Sequence, residues 1–198
     1  MPADHAFAPS APSCAPAILA QPPAVRLYGP IDQAMLAEFL RQRSEAPADG
    51  PVVVELSTSG GDADVGRRIA QEIRSWRQGG AALYFLGKSY VYSAGVTVMA
   101  AFARERRFLT RDCELLVHER RLSKTLQLDG ALQVCLVQVQ SMLAEIASGQ
   151  RLERAGFAEL VQGSALSLDD LQARVRDCDW YVPAAEAHGL GLVGGLVD

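Results

Sequence analysis

A chain of 198 residues, 49% hydrophobic and 21% charged, is long enough to bury one substantial core and too short to need two domains. Its formal net charge of −4 argues against a nucleic-acid-binding surface, which needs a clustered basic face. No apolar run approaches the roughly 18 residues that cross a bilayer, so a membrane partner is not expected.

Residues 1–24 form a Pro/Ala-rich arm, with Pro2, Pro9, Pro12, Pro16, Pro22 and Pro23 among them, and are expected to be flexible or extended rather than regular. They carry no basic n-region and no continuous apolar core, so an export signal is not expected. Globular patterning begins at residue 25 and continues to 198 as one expected domain. Val25 to Gly29 alternates as a short strand. Asp32 then caps a helix carrying Met35, Leu36, Phe39 and Leu40 at helical spacing.

After Gly50-Pro51, the β-branched run Val52-Val53-Val54-Glu55-Leu56 reads as a strand covered on both faces. It enters Ser57-Thr58-Ser59-Gly60-Gly61, beyond which Val65, Ile69, Ile73 and Trp76 mark a helix face with Asp62 or Asp64 as its cap. Ala82 to Leu86 is the next buried strand, and Gly87 to Tyr92 reads as the connection out of it. From Ser93 to Ala103 the sequence is small and apolar all round, as in a helix sunk in the core.

Arg107 to Thr110 and Glu114 to His118 read as two strands about a turn at Arg111-Asp112. Arg104, Arg106, Arg107 and Arg111, interspersed with Glu105 and Asp112, read as a solvated rim. Between Leu128 and Leu152 the residues Leu132, Leu136, Val139, Leu143 and Ile146 hold a helical period. A helix of that length is expected to project and pair with another subunit. Ser167 with Asp170 caps a further helix, and a last one begins near Pro183. Strands alternating with helices place the chain among α/β folds with a largely parallel sheet.

The four cysteines, Cys14, Cys113, Cys135 and Cys178, lack any paired spacing for zinc or redox chemistry. Cys113 and Cys135 are expected to be buried thiols, which fits a reducing, cytoplasmic compartment. No metal or cofactor is implied.

Three segments carry chemistry in one order: Gly60-Gly61 after a strand, Ser93 opening a helix, and His118 ending a strand. A serine hydroxyl needs a base to accept its proton and preset donors to receive the developing oxyanion. The Ala94 N–H at a helix start and the N–H groups of Gly60 and Gly61 are candidate donors. Each piece alone has an ordinary reading: Ser93 as a cap, the glycines as a tight turn, His118 as a half-buried strand residue. Their combination points to a site.

These segments resemble the proteolytic subunit of the Clp protease, within the group that shares its fold with the crotonases. Thr58-Ser59-Gly60-Gly61 is similar to that family's Ser-Pro-Gly-Gly, Ser93-Ala94-Gly95 to its Ser-Met-Gly, and Val117-His118 to its Ile-His. Asp179-Trp180-Tyr181-Val182-Pro183-Ala184-Ala185-Glu186-Ala187 resembles its acidic residue, aromatic and Ser-Ala-x-Glu-Ala run. The resemblance runs from about Val25 to the C-terminus. It implies a crotonase/Clp-protease-like α/β fold, a repeated β-β-α spiral with a long protruding helix region. It also implies a serine peptidase acting on peptides or unfolded proteins as a homo-oligomeric ring, with Ser93 as nucleophile, His118 as base and Asp179 as orienting acid; Asp177 remains the rival for the last role. Whether an ATPase unfoldase partner feeds the chamber stays open. Two departures stand out: Ser59 replaces the family's proline, and Glu119-Arg120 replaces its Gln-Pro. A non-catalytic assembly or adaptor protein and a crotonase-like acyl-CoA enzyme are the alternatives.

Overall fold

The computed structural model describes residues 16–198; residues 1–15, with Cys14 and most of the expected arm, lie outside the described residues. The short turn Ala17–Ala20 sets Ile18 and Leu19 against Val53, Leu86 and Phe108 on one face of the sheet.

The strands are β1 (Val25–Tyr28), β2 (Pro51–Thr58), β3 (Ala82–Tyr92), β4 (Arg107–Thr110), β5 (Glu114–Val117), β6 (Trp180–Pro183) and β7 (Gly195–Val197). Between them lie α1 (Gln33–Glu45), α2 (Ala63–Gln78), α3 (Ala94–Ala100), α4 (Leu132–Val161), α5 (Leu168–Val175) and α6 (Ala184–Gly189). The sheet runs β1-β2-β3-β4-β7, all parallel, while β5 joins β3 and β6 pairs antiparallel with β5. Parallel strands joined by helices bury both sheet faces, which is why β2 is apolar at Val52, Val53, Val54 and Leu56. The helix starts follow their caps: Asp32 accepts the Met35 N–H, Asp62 those of Asp64 and Val65, and Ser167 that of Asp170.

β3 is longer than its sequence suggests. Residues Phe85 to Gly87 pair with β4, whereas Tyr90 to Tyr92 pair with β5. The strand therefore forks the sheet, bending at Ser89, whose φ is 59°. This fork brings the end of β3 beside the end of β5, where the site lies.

Three expectations are corrected by burial. Arg107 is 3% exposed, inside the core rather than on a solvated rim. Cys113 is buried, but Cys135 is only half-buried, because it sits on the first turn of α4 away from the main body. The long helix starts later and ends later than its apolar period indicates, spanning 30 residues. Its period faces outward: Leu132 is 88% and Leu143 65% exposed, and only the C-terminal Leu160 and Val161 enter the core. Among the described residues no helix is long and apolar enough to cross a membrane.

Candidate active site

Ser93 is held from three sides. Its backbone N–H donates to Leu116 O on β5 at 2.8 Å, its own carbonyl accepts the Val96 N–H of α3, and its φ of 55° and ψ of −115° turn the chain sharply from β3 into that helix. A non-glycine residue at such dihedrals is strained by about 1–3 kcal/mol and persists only where its surroundings dictate it. A serine on a tight strand-to-helix turn presents its hydroxyl outward with N–H groups of the helix start beside it. Gly60 explains how the turn fits: a Cβ there would stand 2.7 Å from Ser93 Cβ, at a φ of 90° that disfavours side chains.

The two glycines do different work. The Gly60 N–H donates to Thr58 Oγ1 at 3.1 Å, and its carbonyl accepts from Ile31. Gly61, pressed against the Ile31 backbone at a φ of 147°, keeps an N–H that no acceptor among the described residues takes. Of the pair, Gly61 is the one with a donor to offer, as is Ala94 at the first position of α3.

Register carries the other residues to the same edge. Tyr92 is opposite Leu116 in the parallel β3–β5 pair, so Ser93 falls level with Val117. Val117 is opposite Trp180 in the antiparallel β5–β6 pair, so one step further His118 falls level with Asp179. Asp177 is two residues beyond, at a positive φ of 58°. Ser93 and His118 both line a cavity of 630 Å³ between α2, α3 and α4. His118, Asp177 and Asp179 line an adjoining hollow of 430 Å³.

Hydrogen bonds do not link the three side chains. His118 Nδ1 lies 2.5 Å from Glu119 O, and the Asp179 carboxylate accepts from Arg121 Nη2 at 2.5 Å. Glu119 also accepts the Asp177 N–H at 3.4 Å. The segment Glu119-Arg120-Arg121 thus holds the imidazole on one side and the acid on the other. Arg120 donates to Asp64 on α2 at 2.9 Å and holds that carboxyl below the usual carboxylate range, with Arg67 adding to the effect. Next to Ser93 in the chain, the Tyr92 phenol is pushed up by burial and by its hydrogen bond to Glu114 on β5.

With this geometry in view, the comparisons divide by kind. A scan against protein-family models matched none. Among curated proteins the chain is 22% identical over 178 residues to the ATP-dependent Clp protease proteolytic subunit 3 of Rhizobium etli, across 86% of this chain and 81% of that protein. It is 30% identical over 96 residues to the proteolytic subunit 2 of Treponema denticola, across 47% of this chain and 46% of that protein. Among solved structures, a ClpP1 mutant from Listeria monocytogenes superposes with a TM-score of 0.68 at 18% identity, covering 88% of this chain and 90% of that one. In sequence, across most of its length, and in fold the chain is similar to Clp protease proteolytic subunits. Its fold is the Clp protease fold, and its relatives point to a peptidase of Clp type.

Sequence reasoning missed part of this candidate site. Thr58, fully buried, fixes Gly60, and nothing in its local pattern distinguishes it from a strand residue. Glu119 and Arg120 were visible only as a departure from the family's Gln-Pro, and Arg121 gave no signal. Arg67 on α2 lines the main cavity with Arg120, and an arginine on the exposed flank of a helix gives no signal of that in sequence.

Proposed function

We propose that this chain is a cytoplasmic serine peptidase of Clp type that hydrolyses peptides or unfolded proteins, with residues 25–198 as the catalytic domain and residues 1–24 as an arm. Ser93 Oγ attacks the scissile carbonyl, His118 takes its proton, and Asp179 orients the imidazole and stabilises its charged form. The Gly61 and Ala94 N–H groups receive the oxyanion, with Gly60 as the close support beneath Ser93. The observation that carries the reading is the strained turn at Ser93, seated on Gly60 and opening into the cavity that His118 shares.

Catalysis on this reading needs a rearrangement in which His118 leaves the Glu119 carbonyl and Asp179 leaves Arg121. Burial of the exposed apolar face of α4 in a homo-oligomeric ring would supply the driving force, since several exposed Leu, Val and Ile side chains each gain about 1.5–3 kcal/mol on burial. A second reading, a non-catalytic assembly protein that kept the fold, is favoured by those same resting hydrogen bonds.

A fluorophosphonate probe separates the two. The assembled wild type should label on Ser93, and Ser93→Ala and His118→Ala should not. An assembled wild type, its mass checked by light scattering, in which Ser93 stays unlabelled would refute the peptidase and leave the assembly protein.

A further inference from the structure

The cavity beside Ser93 has acids that are engaged and cations that are not fully matched. Glu159 is bound to Arg74 at 2.9 and 3.0 Å, Glu153 accepts the Arg120 backbone N–H, Glu119 accepts the Asp177 N–H, and Asp62 caps α2. Arg120 and Arg67, by contrast, share the single carboxylate of Asp64, at 2.9 and 3.6 Å. Asp64 lies outside the cavity lining, with a side chain that is 70% exposed. Arg120 Nη1 is buried and has no hydrogen-bond partner among the described residues.

A buried guanidinium donor without an acceptor is unfavourable by about 1–3 kcal/mol, and a carboxylate is the acceptor that the planar fork fits best. The lining also carries apolar side chains, Val96 on α3 and Leu152, Phe157 and Leu160 on α4. A side chain with an apolar stem and an anionic end suits both kinds of lining group, which describes glutamate better than any neutral residue.

We propose that this cavity selects peptides carrying a carboxylate beside the bond presented to Ser93, with Arg120 and Arg67 as the residues that determine that specificity. The position relative to the scissile bond rests on the reading of Ser93 as nucleophile; the affinity for the carboxylate does not. The carboxylate comes from an acidic side chain or from the end of the peptide chain, and two pairs of probes tell them apart.

The test uses fluorescent peptides bound to the assembled Ser93→Ala protein and read by anisotropy, so that it needs no catalysis. One pair compares internal Glu with Gln in amidated peptides; the other compares a free with an amidated C-terminus in peptides without acidic side chains. The expected result is about tenfold tighter binding of the Glu peptide, the ratio falling toward one in Arg120→Gln and Arg67→Gln. Asp64→Asn, which releases both guanidinium groups, should raise the ratio instead, a direction that misfolding does not produce. A preference confined to the free C-terminus supports the carboxylate and assigns it to the chain end. No binding, equal binding within both pairs, or a preference indifferent to all three substitutions overturns the proposal. In wild type, hydrolysis of the same peptides should show the preference in KM rather than kcat. A Ser93 that fails to label while the Ser93→Ala preference persists would refute the peptidase and leave the carboxylate site standing.

Discussion

Replacing Arg107 with methionine removes the one buried cation among the described residues, and the effect follows from its contacts. Its Nε donates to Phe102 O at 3.1 Å, its Nη1 to Leu160 O at 3.1 Å and Leu192 O at 3.2 Å, and its Nη2 to Ala100 O at 2.8 Å and, more weakly, Glu159 O at 3.5 Å. All of these carbonyls but that of Leu192 lie at the C-terminal ends of α3 and α4, where partial negative charge collects. Burial pulls the guanidinium down to about 10, with Glu159 opposing the shift, a penalty of about 3 kcal/mol for keeping it charged. Four well-formed charge-assisted bonds at about 1.5–3 kcal/mol each outweigh that penalty. Arg107→Met should therefore lose about 4 kcal/mol, because the stranded carbonyls outweigh the relief of the charge. For a chain of this size that is a fall in Tm of about 8–16 °C. Arg107→Lys keeps the charge without the fork and should fall between. Urea unfolding followed by tryptophan fluorescence measures both. A methionine variant within about 1 kcal/mol of wild type would refute the assignment of Arg107 as the tie between the two helices.

The remaining predictions concern the site, pH and assembly. Gly60→Ala sets a Cβ 2.7 Å from Ser93 Cβ and 3.0 Å from Tyr92 O, so it should lose about 2–3 kcal/mol and label on Ser93 at least about tenfold more slowly, by urea midpoint and probe kinetics; wild-type labelling would show that Gly60 does not support the turn. Burial pushes the Cys113 thiol up to about 12 from 9.0. The unfolded thiol ionises first as pH rises, so this group leaves stability intact below about pH 9 and removes about 1.4 kcal/mol per pH unit from there to about pH 12. Cys113→Ala should flatten the measured slope by that amount, and an unchanged slope would assign the alkaline loss to other groups. Leu143→Glu, on the outward face of α4, should leave unfolding of the chain within about 0.5 kcal/mol of wild type while lowering the light-scattering mass; an unchanged mass would place the contact elsewhere. Arg121→Gln releases the Asp179 carboxylate and should speed Ser93 labelling several-fold in unassembled protein, whereas slower labelling would make Arg121 a support of the site rather than a restraint.

Local signals carried much of the fold. The β-branched run at Val52 to Leu56 is β2, the Asp32, Asp62 and Ser167 caps start their helices, and Ser93 stands where a strand gives way to a buried helix. Features set by distant partners were not legible. Lys88 and Ser89 interrupt the apolar pattern of β3, and the strand continues past them because β5 supplies a new edge at Tyr90. Arg107 looks like its neighbours Arg104 and Arg106, and only carbonyls from residues as far along the chain as Leu160 and Leu192 make it internal. In the site, the order of Gly60, Ser93 and His118 was readable, while the engagement of Asp179 by Arg121 depends on side-chain geometry that spacing does not encode.

The connection between α4 and the site gives the proposed assembly a physical route. The same helix offers its exposed apolar face near Leu132 to Ile146 and, two turns later, the cavity wall at Leu152 to Leu160. It is tied to the segment after His118 at two points: Glu153 accepts the Arg120 N–H, and Lys124 pairs with Glu145 at 2.6 Å. Both Lys124 and Glu145 are about half exposed, so that pair is weak on its own. Covering the apolar face of α4 with another subunit would therefore act on residues 119–124 directly. Those residues hold the His118 imidazole and, through Arg121, the Asp179 carboxylate. The β3–β5–β6 register already places Ser93, His118 and Asp179 on neighbouring strand ends, so closing the proposed triad would ask for side-chain and loop movements and none in the sheet. On the proposed reading, a peptidase whose base and acid are released only when α4 is covered stays silent as a single chain, which keeps hydrolysis inside the assembly.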